Sequence, residues 1–147
     1  MATKIKVKKT HEHAIIPKYE HKGDSGMDVF SMETLLIPPM RRTLVNTGLA
    51  FEVPKGYEIQ VRPKSGLALK EGITVLNTPG TIDSNYRGEL GIVLINHSSK
   101  PYLVEKGKKI AQIVLQRVET IAFKEVKELK GTTRGAGGFG STGLDKK

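Results

Sequence analysis

The sequence predicts an all-β sandwich or barrel with one short helix and a flexible, glycine-rich C-terminal arm. Three observations lead there. Short runs rich in Ile, Val, Leu, Tyr and Phe recur along the chain, clusters of Gly, Pro and Asn punctuate them, and the apolar pattern gives out near Lys130. β-Branched and aromatic side chains suit a pleated, half-buried surface, and turn residues supply the reversals that short strands need.

Strands are expected at Ile5 to Lys9, Met27 to Ser31, Arg42 to Asn46, Leu49 to Val53, Tyr57 to Arg62, Ile73 to Leu76, Leu90 to Asn96 and Ile110 to Val118. Turn signals separate them at Gly23-Asp24, Pro38-Pro39, Pro54-Lys55-Gly56, Pro79-Gly80, Asn96 to Ser99 and Gly107. The spacing of Ile110, Ile113, Val114 and Val118 also fits a helix, and the Ile and Val content decides for a strand. A helical turn or two fits Ser65 to Lys70, with Ser65 as cap and Gly72 as terminator. No internal repeat is present. Residues 1–130 therefore read as one β domain and 131–147 as an arm that orders on contact with something else.

Length and composition bound the function. A chain of 147 residues buries one sizeable core rather than two. No apolar run approaches the ~20 residues that span a bilayer, so no membrane partner is expected. Met1 to Thr10 carries four lysines but lacks the apolar centre of a secretory signal, which makes the cytoplasm the default location. With no cysteine, a disulfide framework and a thiolate zinc site are both excluded. The formal charge of +9 suits a polyanionic ligand. Much of it sits at the ends, in Lys4, Lys6, Lys8 and Lys9 and in Lys146 and Lys147, where lysines are commonly a solvated fringe. Single-strand binders stack bases on several rings, and only 5% of this chain is aromatic, so no stable nucleic-acid partner is expected.

Five stretches carry candidate chemistry. Arg134 to Gly143 holds five glycines in the nine residues from Gly135, a backbone free enough to wrap an anion. Gly135, Gly137 and Gly140 match a dinucleotide fingerprint without its strand-then-helix context, and Ser141 stands where a P-loop needs lysine, so both motifs are rejected. What remains is a cation, one ring and two hydroxyls, equally consistent with a plain flexible tail. Asn77 to Gly88 reads as a long hairpin between two strands, in which Asp83 beside Ile82 suits either a general base or a turn cap. Arg62 to Ala68 opens the short helix, where Arg62 and Ser65 could meet an anion. Asp28 at a strand start and Gln112 within a strand complete the candidates. His11, His13, His21 and His97 are scattered without ligand partners and read as surface residues.

Five of these stretches resemble, in order, the five motifs of the trimeric deoxyuridine triphosphatases: Ser25-Gly26-Met27-Asp28-Val29, Arg62 to Ala68, Gly80 to Asp83 with Tyr86-Arg87-Gly88, Gly107 to Gln112, and Arg134 to Gly143. The resemblance implies a jelly-roll-like subunit in a homotrimer, with three shared sites and the arm closing over a neighbour's site. It makes Asp83 the general base that activates water against the α-phosphorus of dUTP, giving dUMP and pyrophosphate. It gives Asp28 the waters around a Mg2+ ion. Arg62, Ser65, Gln112, Arg134, Ser141 and Thr142 fall to the phosphates, with Lys64, Gly66 and Gly140 among the substrate-binding set. Asn77, Gly80 and Ile82 belong to the hairpin that reads uracil, Tyr86 packs under the sugar and Phe139 stacks on the base. The implied role is to keep uracil out of DNA and to supply dUMP for dTMP synthesis.

Lys108 stands where this family commonly has an acidic residue, Asn85 where it has Asp or Glu and Ser25 where it has Ala, and Thr78-Pro79 lies within the base-reading hairpin. A dCTP deaminase, or a bifunctional deaminase and triphosphatase, shares the fold and much of the phosphate site. The Asp83 to Gly88 sequence and the complete arm favour the triphosphatase. A nucleotide-responsive regulatory module is the alternative from another class, and the full catalytic set argues against it.

Overall fold

Period-two burial sets the architecture. In the strand Glu89–Asn96, half-buried and buried residues alternate without a break, which turns Leu90, Ile92, Leu94 and Asn96 to the core. The structure is a computed structural model and describes residues 2–145; Met1 and the terminal Lys146 and Lys147 lie outside the described residues. In chain order the elements are β1 Lys6–Lys9, β2 Met27–Phe30, β3 Leu35–Ile37, β4 Arg42–Glu52, β5 Tyr57–Arg62, α1 Ser65–Glu71, β6 Ile73–Val75, β7 Gly80–Ile82, β8 Glu89–Asn96, β9 Tyr102–Val104 and β10 Lys109–Arg117. One sheet has the order β1-β4-β8-β6, the other β2-β10-β5-β7, and β3 pairs with β9. All pairings are antiparallel.

A single core cluster takes Val45, Leu49, Leu90, Ile92 and Leu94 from the first sheet and Val29, Ile59, Val61, Ile110 and Ile113 from the second. Burying each such side chain contributes about 1.5–3 kcal/mol. The result is the all-β, jelly-roll-like domain with one short helix that the sequence predicts.

Several details differ from expectation. Arg42 to Asn46 and Leu49 to Val53 are one strand, β4, which bulges between Asn46 and Ala50. Gly48 permits this, because its φ of 70° is left-handed and a Cβ there would stand 2.9 Å from that of Ala14. The three-residue strands β3, β7 and β9 have no counterpart among the expected strands. Ser65 does not cap α1: Lys64 takes that position with no side-chain hydrogen bond, and Ser65 is the first helical residue. Gly72 does end the helix, at φ 66°, with its N–H donating to the Ala68 carbonyl.

β6 and β8 pair as a hairpin would, but their connection carries β7 across to the other sheet, onto β5. The expected hairpin is therefore a bridge between sheets. The last strand ends at Arg117, and residues 117–145 are all exposed, including Ile121, Phe123, Val126 and Leu129. No helix among the described residues is long and apolar enough to cross a membrane.

Candidate active site

Three neighbouring strands put three predicted residues in one row. Gln112 of β10 is registered opposite Asp28 of β2 on one side and Arg62 of β5 on the other, so all three project from the same face. Each oxygen of the Asp28 carboxylate meets an ammonium, Oδ1 that of Lys64 and Oδ2 that of Lys109 at 2.9 Å. Burial opposes ionisation of Asp28, but the hydrogen bonds and charges of Lys64 and Lys109 outweigh it and hold the carboxyl below its usual range. The Asp28 hydrogen bond in turn raises Lys109, which also lies 3.4 Å from Glu20.

Gln112 is fixed from two sides: its Nε2 donates to the Pro63 carbonyl at 2.9 Å, and Gly26 lies against its Oε1. Arg62 is turned along its own strand, donating through Nη2 to Gln60 Oε1 at 2.8 Å, and Gln60 donates to Glu58 at 2.7 Å. An open cleft of about 460 Å³ runs along Ser25, Gly26, Asp28, Lys109 and Gln112. Lys64, which reaches this row through Asp28, precedes Ser65 and Gly66 at the start of α1.

The second cluster stands at the far edge of the same sheet. Gly80 and Ile82 lie in β7, where Gly80 packs closely on Val61 and near the Asn77 amide. Asp83 follows, and the chain turns at once: the Tyr86 N–H donates to the Asp83 carbonyl at 3.1 Å. Arg87 Nη1 ties the turn by donating to the carbonyls of Ser84 at 2.8 Å and Tyr86 at 2.9 Å. Asp83, Ser84, Asn85 and Arg87 face an open cleft of about 760 Å³ walled on its other side by residues 52–55. Lys108, the departure beside the fourth motif, pairs with Glu105 at 3.1 Å and stays clear of Gln112.

The arm forms a third group by itself. Arg134 Nε donates to the Gly137 carbonyl at 2.8 Å, and further turns join Gly138 to Ser141 and Gly140 to Gly143. Phe139, Gly140, Ser141 and Thr142 are all exposed, and Phe139 has a left-handed φ of 43°. The structure thus unites Asp28, Arg62, Lys64 and Gln112, and separately Asn77, Gly80, Ile82, Asp83 and Tyr86. It does not unite the two sets. β2 and β7 are the outermost strands of their sheet, and three strand spacings separate them by about 14 Å.

Sequence reasoning placed Lys109 and Arg87 inside motifs without giving either a role, and missed Gln60 altogether. Gln60 was open to discovery, since Glu58, Gln60 and Arg62 alternate with the buried Ile59 and Val61. Lys109 was not, because a register irregularity between Lys109 and Ala111 sets its direction.

Fold and clusters together define a class, jelly-roll β domains with a divided, cation-lined surface site. Within that class the chain belongs to the dUTPase family, whose model matches residues 12–143. It is 57% identical over 141 residues to the deoxyuridine 5'-triphosphate nucleotidohydrolase of Clostridium novyi (strain NT), an alignment covering 96% of this chain and 99% of the relative. Among solved structures it is similar to a point mutant of the Staphylococcus bacteriophage 80alpha dUTPase with dUpNHpp, with TM-score 0.89, 29% identity and coverage of 97% and 100% of the two chains. It is also similar to a mutant dUTPase of phage phi11 of S. aureus, described with a structural Mg(II) ion, with TM-score 0.81, 26% identity and coverage of 88% and 100%.

Proposed function

We propose that this protein is a dUTP diphosphatase that hydrolyses dUTP to dUMP and pyrophosphate as a homotrimer with shared sites. The observation that carries the reading is the division of the site. One subunit holds a phosphate-suited row, a carboxylate on a turn and a detached arm. A copy beside it would bring one chain's Asp28 row to another's Asp83 turn.

Asp83 accepts a proton from water, the water oxygen bonds to the α-phosphorus, and the bond from that phosphorus to the α–β bridging oxygen breaks, which releases pyrophosphate and leaves dUMP. Arg62, Lys64, Ser65, Gly66 and Gln112 on one side, and Arg134, Gly140, Ser141 and Thr142 from the arm, neutralise and align the phosphates, since phosphoryl transfer depends on positioning and charge. Asn77 and the backbone from Gly80 to Ile82 read uracil, leaving no room for a thymine methyl and opposing the donor that cytosine presents. Phe139 stacks on the base, and Tyr86 beneath the sugar excludes a 2′-hydroxyl.

The residues present suit Mg2+ held mainly by the substrate. No group of three His, Cys, Asp or Glu among the described residues is placed to hold a metal, and both Asp28 oxygens are already engaged by lysines. A Mg2+ ion keeps several waters and takes phosphate oxygens, so Asp28 would hold it through water. When bound, the ion offsets phosphate charge. The reaction keeps uracil out of DNA and feeds dTMP synthesis from the cytoplasmic nucleotide pool.

Pyrophosphate release from dUTP, dCTP, dTTP, dATP, dGTP and UTP tests the reading beside an Asp83→Asn variant. Turnover confined to dUTP and lost in the variant is expected. Ammonia release from dCTP, or no turnover of any nucleotide, overturns it.

A further inference from the structure

We infer that Gly88 is a positioning residue for sugar selectivity, acting through Tyr86; the inference rests on the proposed place of Tyr86 under the sugar. A Cβ built on Gly88 would stand 2.3 Å from the Tyr86 hydroxyl oxygen, 2.5 Å from Cζ and 2.9 Å from Cε2. Real Cβ atoms do not approach other atoms so closely, so any side chain at this position displaces the ring. The backbone of Gly88 lies outside the left-handed region, and conformation alone does not require glycine there. Space for the phenol is what the missing side chain supplies.

Tyr86 needs such a seat because burial does not hold it: it is 44% exposed. Its ring has two supports. The hydroxyl donates to the Glu89 carbonyl at 3.0 Å, and the ring edge lies on the bare Cα of Gly88. Both supports stand at the entry to β8, a rigid core strand, while the turn from Asp83 to Tyr86 is tied by Arg87. The phenol is thereby laid back along the chain toward Glu89. A ring displaced from Gly88 leaves that position, and the steric barrier to a ribose leaves with it.

The experiment compares kcat/KM for dUTP and UTP in the full-length wild type, Gly88→Ala, Tyr86→Ala and the double variant. Gly88→Ala is expected to lower the dUTP-to-UTP preference by about tenfold or more, the scale on which a pocket discriminates small groups sterically. Tyr86→Ala should lower it similarly, and the double variant should fall no further than the worse single, because both act through one ring. A preference lost in Tyr86→Ala but kept in Gly88→Ala overturns the inference while leaving the role of Tyr86 intact. A preference kept in Tyr86→Ala overturns that role, and the inference with it. Should Gly88→Ala fail to fold, the double variant has no ring for the new Cβ to meet and should recover the wild-type melting temperature. A double variant that also fails to fold would show that Gly88 serves the backbone and would refute the seat.

Discussion

Gly26 and Gln112 touch so closely that a Cβ on the glycine would lie 2.3 Å from Gln112 Oε1 and 3.2 Å from its Cδ. Gly26 has no left-handed backbone angle, so this contact, not conformation, is what excludes a side chain. The amide cannot simply turn aside, because its Nε2 is committed to the Pro63 carbonyl. Gly26→Ala should therefore move the Gln112 amide out of the row with Asp28 and Arg62. Steady-state kinetics should show KM for dUTP rising severalfold, as in Gln112→Ala. The double variant should be no worse than the poorer single, as coupled neighbours require. Additive losses would show that Gly26 acts elsewhere.

The Asp28 ion pairs make stability depend on acid. Its folded-state pKa lies below the unfolded value, so the stabilisation is present above the ordinary carboxylate range and is lost as pH falls through the lowered pKa. Asp28→Asn should cost about 1.5–3 kcal/mol at neutral pH, the scale of hydrogen bonds to charged groups. Thermal unfolding from pH 7 down to about 2, across the unfolded carboxylate pKa of about 3.9, should show the gap between wild type and variant closing. A gap that stays constant would mean that the carboxylate charge contributes nothing beyond shape.

The separation of Asp28 from Asp83 predicts complementation. Asp28→Asn and Asp83→Asn subunits are each expected to be inactive alone. If one site takes Asp28 from one chain and Asp83 from another, denaturing and refolding an equal mixture places both intact residues in roughly a quarter of the sites of a randomly mixed cyclic oligomer. Activity should return to about that fraction of wild type. Light scattering should give the mass of three subunits. Silence of the mixture, or a mass of one subunit, would rule out sharing.

β5, β8 and β10 fall within a residue or two of expectation because burial writes itself into the sequence, whereas β4, the longest strand, was expected as two because of its bulge. What escaped were features set by tertiary contact. β7 has only Gly80–Ile82 and exists because β5 offers it an edge. Lys64, not Ser65, opens α1, because the chain leaves β5 extended at φ −92°, ψ 125°. The residues of the candidate site were named one by one, through the motif resemblance, but their grouping was not. No sequence pattern says that Asp28 and Asp83 lie on opposite edges of one sheet.

The arm offers the sharpest separation of function from folding. Residues 117–145 are exposed throughout, and no residue beyond Leu115 joins or packs against the core cluster among the described residues. Removing 131–147 should therefore leave the melting temperature nearly unchanged, since no buried apolar surface is lost. The same truncation removes Arg134, Phe139, Ser141 and Thr142. A segment that closes over bound substrate aligns it and shuts out water, and its loss should lower kcat/KM for dUTP by about 10²-fold or more. Phe139→Ala alone should account for part of that fall, mainly in KM, because stacking on the base is binding that the ground state already enjoys. The measurement pairs thermal unfolding with steady-state kinetics on both variants. Full activity in the truncated protein would remove the arm from the site, whereas a large loss of stability would mean that the arm builds the assembly rather than closing the site.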